Sequence, residues 1–303
     1  MTKLSSGIWK FPYEPACVLK VEGPDAAVFL QGQFTNDLRD LKPGSSVYGL
    51  WLDRRGRVIG DSHVAKDPGD GFWIVSLGTA AAAIAAHLQA HIIADDVTVD
   101  DRTEGALGLT LLGPGSGQRL LAPEGVIVVF PGRRGGSESW EWILDRSRAG
   151  AALEAAADLP TASAAQMERL RILAQVPAVP ADIGPGDLPN EGALDRDAIS
   201  YSKGCYLGQE VMARIKSRGR LRRRLVRVEG AGAPPAVPAA LWLDGRRQGE
   251  LRSSAADGAG FVGLALVAAE SAAAGTPFSF ADGGPAALAV AQTAAGQVRL
   301  ECV

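Results

Sequence analysis

Cysteine is scarce in this chain. Its 303 residues include three, Cys17, Cys205 and Cys302, far apart and with no Cys-x-x-Cys pair. For an odd number at such spacing the simplest reading is a reducing cytoplasm with no disulfide framework. Histidine is equally rare. His87 and His91 stand one helical turn apart, but Leu88 follows His87 where a zinc-protease helix carries glutamate, so no metal site is expected. Long apolar runs are missing: the alanine-rich stretch from Ala80 to Ala90 is broken by His87 and Gln89, and Met1 to Gly7 lacks the apolar core of a secretory signal. Neither a membrane span nor a leader is expected. There is no phosphate-binding loop, no dinucleotide fingerprint and no internal repeat, which sets aside the common nucleotide enzymes.

The composition is that of a globular protein, with 47% hydrophobic and 21% charged residues, and the length allows two domains. Cys17 to Val21 reads as a strand, followed by a short helix from Pro24-Asp25 through Leu30 and a polar stop at Gln31 to Asp37. Ser46 to Asp53 and Arg57 to Val64 form a hairpin about Arg54-Arg55-Gly56, and its second arm contains Asp61, although acidic residues are depleted in strands. Gly71 to Leu77 is a further strand, and Thr79 is placed to cap the alanine-rich helix, which reaches about Ile92. Strands recur to Leu144, two helical patterns lie between Arg148 and Gln175, and the second has Thr161 or Ser163 as its cap. Gln175 to Asn190, with four prolines and two glycines, is irregular. After Leu221 short strands at Ala239 to Leu243, Gly249 to Arg252, Gly260 to Val267, Gly275 to Phe280 and Val298 to Cys302 predict a small β-barrel. The fold class is α+β, with a region 1–221 and a barrel domain 222–303.

The densest chemistry lies in Tyr201 to Arg214, where Lys203, Cys205, Gln209 and Glu210 fall within eight residues and Gly204 and Gly208 free the backbone. If Lys203 to Cys205 is extended, ammonium and thiol share a side and the thiolate is favoured, with a helix starting near Leu207 adding its positive end. The same residues also read as a solvated turn with a buried cysteine. Next come eight cationic side chains between Arg214 and Arg227; removing them from the net −3 leaves −11 for the rest. Such a run either meets an anionic partner or balances an acidic neighbour within the molecule.

Lys203-Gly204-Cys205-Tyr206-Leu207-Gly208-Gln209-Glu210 resembles the hallmark Lys-Gly-Cys-Tyr-x-Gly-Gln-Glu of the YgfZ folate-binding family at every position. Leu188 to Glu191, Arg214, Asp25-Ala26 with Phe29 to Asp37, and Arg55 to Arg57 with Asp61 are similar to its further pattern, with Asn190 where the family usually has Gln. The resemblance implies a relative of the glycine-cleavage T-protein, a tetrahydrofolate-dependent aminomethyltransferase, built from two intertwined α+β portions and a β-barrel around a central folate site. It implies support for the assembly or repair of iron–sulfur enzymes, including a tRNA-modifying one. It casts Lys203 and Cys205 as the reactive pair, and Asp61 as the survivor of an Asp pair whose partner is replaced by Gly60. Glu141 is cast as the carboxylate that holds the pterin.

Bidentate acceptance of pterin N–H groups by Glu141, with Trp142 as an aromatic wall and Arg214 near the folate tail, is chemically reasonable. The alternative puts Trp140 and Trp142 in the core and Glu141 on the solvent side. The expected function is therefore a tetrahydrofolate-binding accessory protein serving client iron–sulfur enzymes or cluster-assembly proteins. Gly60 and Cys205 count against an ordinary aminomethyltransferase. An RNA-binding role for the basic run is not favoured, because no aromatics are interleaved for base stacking.

Overall fold

The computed structural model describes residues 7–69, 71–119, 124–135 and 138–292. The strand expected at Val298 to Cys302 lies outside the described residues.

Two antiparallel sheets face each other in the first part of the chain. One consists of β2 (Cys17–Glu22), β3 (Ser46–Leu52), β4 (Val58–Lys66), β5 (Gly71–Ser76) and β6 (Thr98–Asp101), in the order β3-β4-β5-β2-β6. The other consists of β1 (Trp9–Tyr13), β7 (Ala106–Leu112), β8 (Val126–Pro131) and β9 (Ser139–Asp145), in the order β1-β7-β9-β8. Strand β2 is buried on both faces, which explains its almost unbroken apolar run. Leu19 and Val21 pack under helices α1 (Ala26–Gln33) and α2 (Ala81–Gln89), while Val18 meets Val128, Phe130 and Ile143 of the facing sheet.

Helix α1 continues through Gln31, Gly32 and Gln33, three residues beyond the expected end at Leu30. Thr79 does not cap α2, whose N-cap is Ala80 with no side-chain bond. The Thr79 hydroxyl is engaged instead by Asp61, to which it donates at 3.1 Å. Helix α3 (Gly150–Ala155) covers the outer face of the second sheet, and α4 (Ala164–Leu173) starts with a capping box between Ser163 and Gln166.

The irregular connection follows, then α5 (Gln209–Arg218) and the last sheet. That sheet contains β10 (Arg223–Ala231), β11 (Ala239–Leu243), β12 (Arg246–Asp257), β13 (Gly260–Ala268), β14 (Pro277–Phe278) and β15 (Leu288–Val290), ordered β11-β12-β13-β10-β15-β14. A bridge between Trp242 and Ser279, bonded both ways at 3.0 Å, joins its two ends and nearly closes a barrel. The connection is clasped from both sides. Asp187 and Glu191 accept from Arg223, Asp187 also from Arg252, and Asp182 from Arg171 and Ser253. Part of the basic run therefore balances acids inside the molecule. Among the described residues no helix is long and apolar enough to cross a membrane.

Candidate functional site

Strand alternation builds the site from both sheets. On β4, Asp61, His63 and Ala65 point toward the facing sheet, and Tyr48 of β3 sits directly across from His63. On the second sheet, register aligns Phe11, Thr110, Glu141 and Phe130 in one row. The His63 ring stacks on Phe130 at 4.2 Å and lies 5.2 Å from Tyr48, so an aromatic chain joins Glu141's row to Asp61.

Asp61 accepts from Tyr48 Oη at 2.9 Å, Ser76 Oγ at 3.0 Å and Thr79 Oγ1 at 3.1 Å. It keeps some accessible surface, yet the surrounding protein desolvates it. Desolvation raises its carboxyl above the usual range, despite those three donors and Arg133. Burial first, and Arg133 second, push the His63 imidazolium down to about 3, so the ring is neutral at physiological pH. A side chain on Gly60 would place its Cβ 2.3 Å from Thr79 Cγ2, so Thr79 fills the space on that side of the strand.

Glu141 is fully buried on the inward face and does not point to solvent. Its oxygens accept from Thr110 Oγ1 at 2.7 Å and Arg134 Nε at 2.9 Å. Trp140 and Trp142 lie on the opposite face of β9, against Ala149 and Ala152. Trp142 therefore cannot wall a ring held by Glu141, because neighbouring strand residues point opposite ways. The aromatic groups on Glu141's side are Tyr13, Phe11 and Phe130. Among the described residues, Ser139 Oγ is buried without a hydrogen-bond partner, and the buried Tyr13 hydroxyl lies beside Glu141 and Arg134. On the facing side the same holds for His63 Nδ1 and for Nε and Nη1 of Arg133, whose guanidinium covers the Tyr48 ring at 3.6 Å.

Arg214 is not among these groups. It is exposed on α5 and pairs with Glu210, one turn back, at 3.0 Å. The arginines at the site are Arg133 and Arg134, from the connection between β8 and β9. Two adjacent arginines in a glycine-rich turn are the sequence signal for this pair.

The hallmark stretch bends, so Lys203 and Cys205 do not share an extended face. Lys203 is buried and donates to the carbonyls of Gln31, Phe34 and Asn36 at 2.7, 2.6 and 2.9 Å. An ammonium has three protons, so none remains for the thiol. Burial lowers the Lys203 ammonium to about 8, against the pull of Asp37. Two of its acceptors lie at the end of α1, where a cation is favoured. Further bonds from Leu207 N to Gly32 O and Ser200 N to Thr35 O stitch the loop to the same segment. Cys205 is exposed, and α5 begins at Gln209, four residues on. The hallmark reaches the inter-sheet site through Asn36, which donates to Tyr48 O, and through Asp197, which pairs with Arg133 at 2.7 Å. His87 and His91 have ring centroids 4.8 Å apart, and His91 Nδ1 bonds the His87 carbonyl.

Residues 15–124 match the model of the GCVT N-terminal domain, and residues 222–297 match that of the CAF17 C-terminal β-barrel domain. The chain is 30% identical over 250 residues to an iron–sulfur cluster assembly factor IBA57 homolog, mitochondrial, of Phaeosphaeria nodorum, covering 78% of this chain and 59% of that protein. It thus spans under two thirds of the fungal relative's length. It is 28% identical over 277 residues to the tRNA-modifying protein YgfZ of Serratia proteamaculans, covering 84% and 82% of the two chains. The crystal structure of the glycine cleavage system aminomethyltransferase T from Bartonella henselae superposes with a TM-score of 0.78 at 22% identity, covering 97% of this chain and 88% of that one. The fold is that of the T-protein.

Proposed function

Because the chain belongs to the family of the YgfZ and IBA57 proteins, joining a GCVT domain to a CAF17-type barrel, we propose that it is an accessory protein for assembly or repair of iron–sulfur proteins. In this reading it takes tetrahydrofolate, or a one-carbon derivative, between its two facing sheets and presents Cys205 to a client or cluster-assembly protein in a reducing cytoplasm.

The observation that carries the reading is Glu141, a fully buried carboxylate on the inward face, with the unpaired Ser139 Oγ and the buried Tyr13 hydroxyl on the same sheet. Buried polar atoms without partners are rare in folded proteins. A flat heterocycle bearing donors and acceptors suits this set, with Glu141 accepting from its N–H edge and Phe130 or Tyr13 offering an aromatic face. Tetrahydrofolate supplies, when bound, a carrier nitrogen for a one-carbon unit. The protein's own contribution is to orient the ring and to exclude water with the Phe130, His63 and Tyr48 stack.

An aminomethyltransferase role is less well supported, since Thr79 occupies the side of β4 where the second aspartate of that site would begin. An RNA role is weakened because Arg223 and Arg227 already hold carboxylates.

Calorimetric titration of the purified protein with tetrahydrofolate tests the ligand, with Glu141→Gln as the control. Binding that is lost in the variant is the expected result. No binding to the wild type, or full binding to the variant, rejects this site.

A further inference from the structure

Arg134 occupies the carboxylate that the proposed ligand needs. Its Nε donates to Glu141 Oε1, and its guanidinium carbon lies 4.3 Å from the Tyr13 ring centroid and 5.3 Å from that of Phe11. Glu141 has no exposed surface, whereas the Arg134 side chain retains 19% of its own. The arginine thus covers the acid from the side nearer solvent.

The chemistry of the two groups gives this pairing a meaning. A guanidinium is a planar N–C(–N)–N unit with donors on neighbouring nitrogens, and it stacks on aromatic rings. The 2-amino pyrimidinone edge of a pterin contains the same N–C(–NH2)–N unit, satisfies a carboxylate in the same way and stacks similarly. We propose that Arg134 is an internal stand-in for the pterin, which pairs with the Glu141 side chain in the free protein and is displaced when the ligand binds. This inference rests on the folate reading above.

The placement of Arg134 suits an exchangeable group. It lies outside both β8 and β9, in a connection entered through Gly132, and is followed by Gly135, which has φ +76°. A Cβ at Gly132 would lie 2.9 Å from Glu141 Oε1, so glycine there leaves the carboxylate room. A buried acid stripped of the cation paired with it is strongly unfavourable, so the free protein needs a partner at this position. Ligand binding is then an exchange of one partner for another, and the apparent affinity is reduced by whatever it takes to move the arginine.

This separates a stand-in from a binding residue by the sign of one effect. Arg134→Met keeps much of the length and removes the guanidinium. Without ligand the variant is expected to melt below the wild type. It should nevertheless bind tetrahydrofolate about tenfold more tightly, the equivalent of one charge-assisted hydrogen bond no longer opposed. Its ligand-induced rise in melting temperature should exceed that of the wild type. Combining Arg134→Met with Glu141→Gln removes the unpaired acid, and should recover ligand-free stability while losing tetrahydrofolate binding, as Glu141→Gln alone does. Weaker binding by Arg134→Met would make Arg134 part of the binding surface, and unchanged binding would make the pair a static strut; either result overturns the proposal. If that variant does not fold, Arg134→Lys carries the test. It keeps the charge without the planar donor array and should also bind more tightly, and equal or weaker binding again overturns the idea. Absence of binding by the wild type and by every variant rejects the folate reading itself, whereas a wild type that binds with no gain in the variants rejects only the stand-in.

Discussion

Lys203 and Cys205, two residues apart, end in opposite surroundings: the lysine is 4% exposed with its ammonium on three carbonyls, and the cysteine is open to solvent. The lysine acts as the pin that fixes the loop to the end of α1, and the cysteine is what the loop displays.

Lys203→Met should therefore reduce stability by roughly 1–3 kcal/mol, the cost of leaving buried acceptors unsatisfied, as read by urea titration. In the folded variant, alkylation of Cys205 should not slow. A clear slowing would return the lysine to an electrostatic role beside the thiol.

Cys17 and Cys205 should differ sharply toward iodoacetamide at neutral pH. Cys17 has no exposed surface, and burial, reinforced by Asp101, pushes its thiol up to about 12. Peptide mapping after brief labelling should find the adduct on Cys205 and none on Cys17. Cys205→Ser should retain tetrahydrofolate binding and fail to restore iron–sulfur enzyme activity in cells lacking the protein; full rescue would falsify a role for the thiol.

Acid should loosen the barrel's attachment through Asp187. Desolvation raises its carboxyl, but Arg252, the Gly184 N–H and Arg223 outweigh that and hold it below the usual range. A depressed carboxylate contributes stability that is complete above its unfolded pKa of about 3.9 and is lost as pH falls through the lower folded value. Stability measured between pH 6 and 2 should fall less steeply in Asp187→Asn, from a lower starting point. Parallel curves would show that Asp187 does not carry this dependence.

Gly60→Ala should destabilise the protein by about 1–3 kcal/mol through overpacking, because the new Cβ meets Thr79 Cγ2 at 2.3 Å. A thermal melt matching the wild type would mean that Thr79 gives way, and that a second acid at position 60 is sterically allowed.

Much of the fold was legible because its signals are local. Alternation in Ser46 to Val64, the Ser163 cap and the run Cys17 to Val21 lead directly to β3, β4, α4 and β2. Strand β10 was hidden, since Arg223, Arg224 and Arg227 look like a solvated charge run until Asp187 and Glu191 are seen to receive Arg223. That pairing spans more than thirty residues and has no local signature. At the site, Asp61 could be picked out because an acid inside a strand is conspicuous, whereas Glu141 was indicated by the family resemblance. Trp142 and Arg214 lie away from the site for different reasons: strand parity puts Trp142 with Trp140 on the face opposite Glu141, and Arg214 is an exposed helical arginine paired with Glu210. Tyr48, His63 and Arg133 emerge only from pairing between strands and sheets.

The clasped connection from Gln175 to Asn190 bears on how such proteins can be recombined. A chimera cut just before the barrel, at residue 222, would leave Asp187 and Glu191 facing a foreign strand without Arg223 and Arg252. On the other side, Arg171 would lose Ser253 and Arg169 would lose Asp257. The barrel and the connection therefore form one inheritable unit, and a working graft has to carry both, together with the face of α4 that holds them.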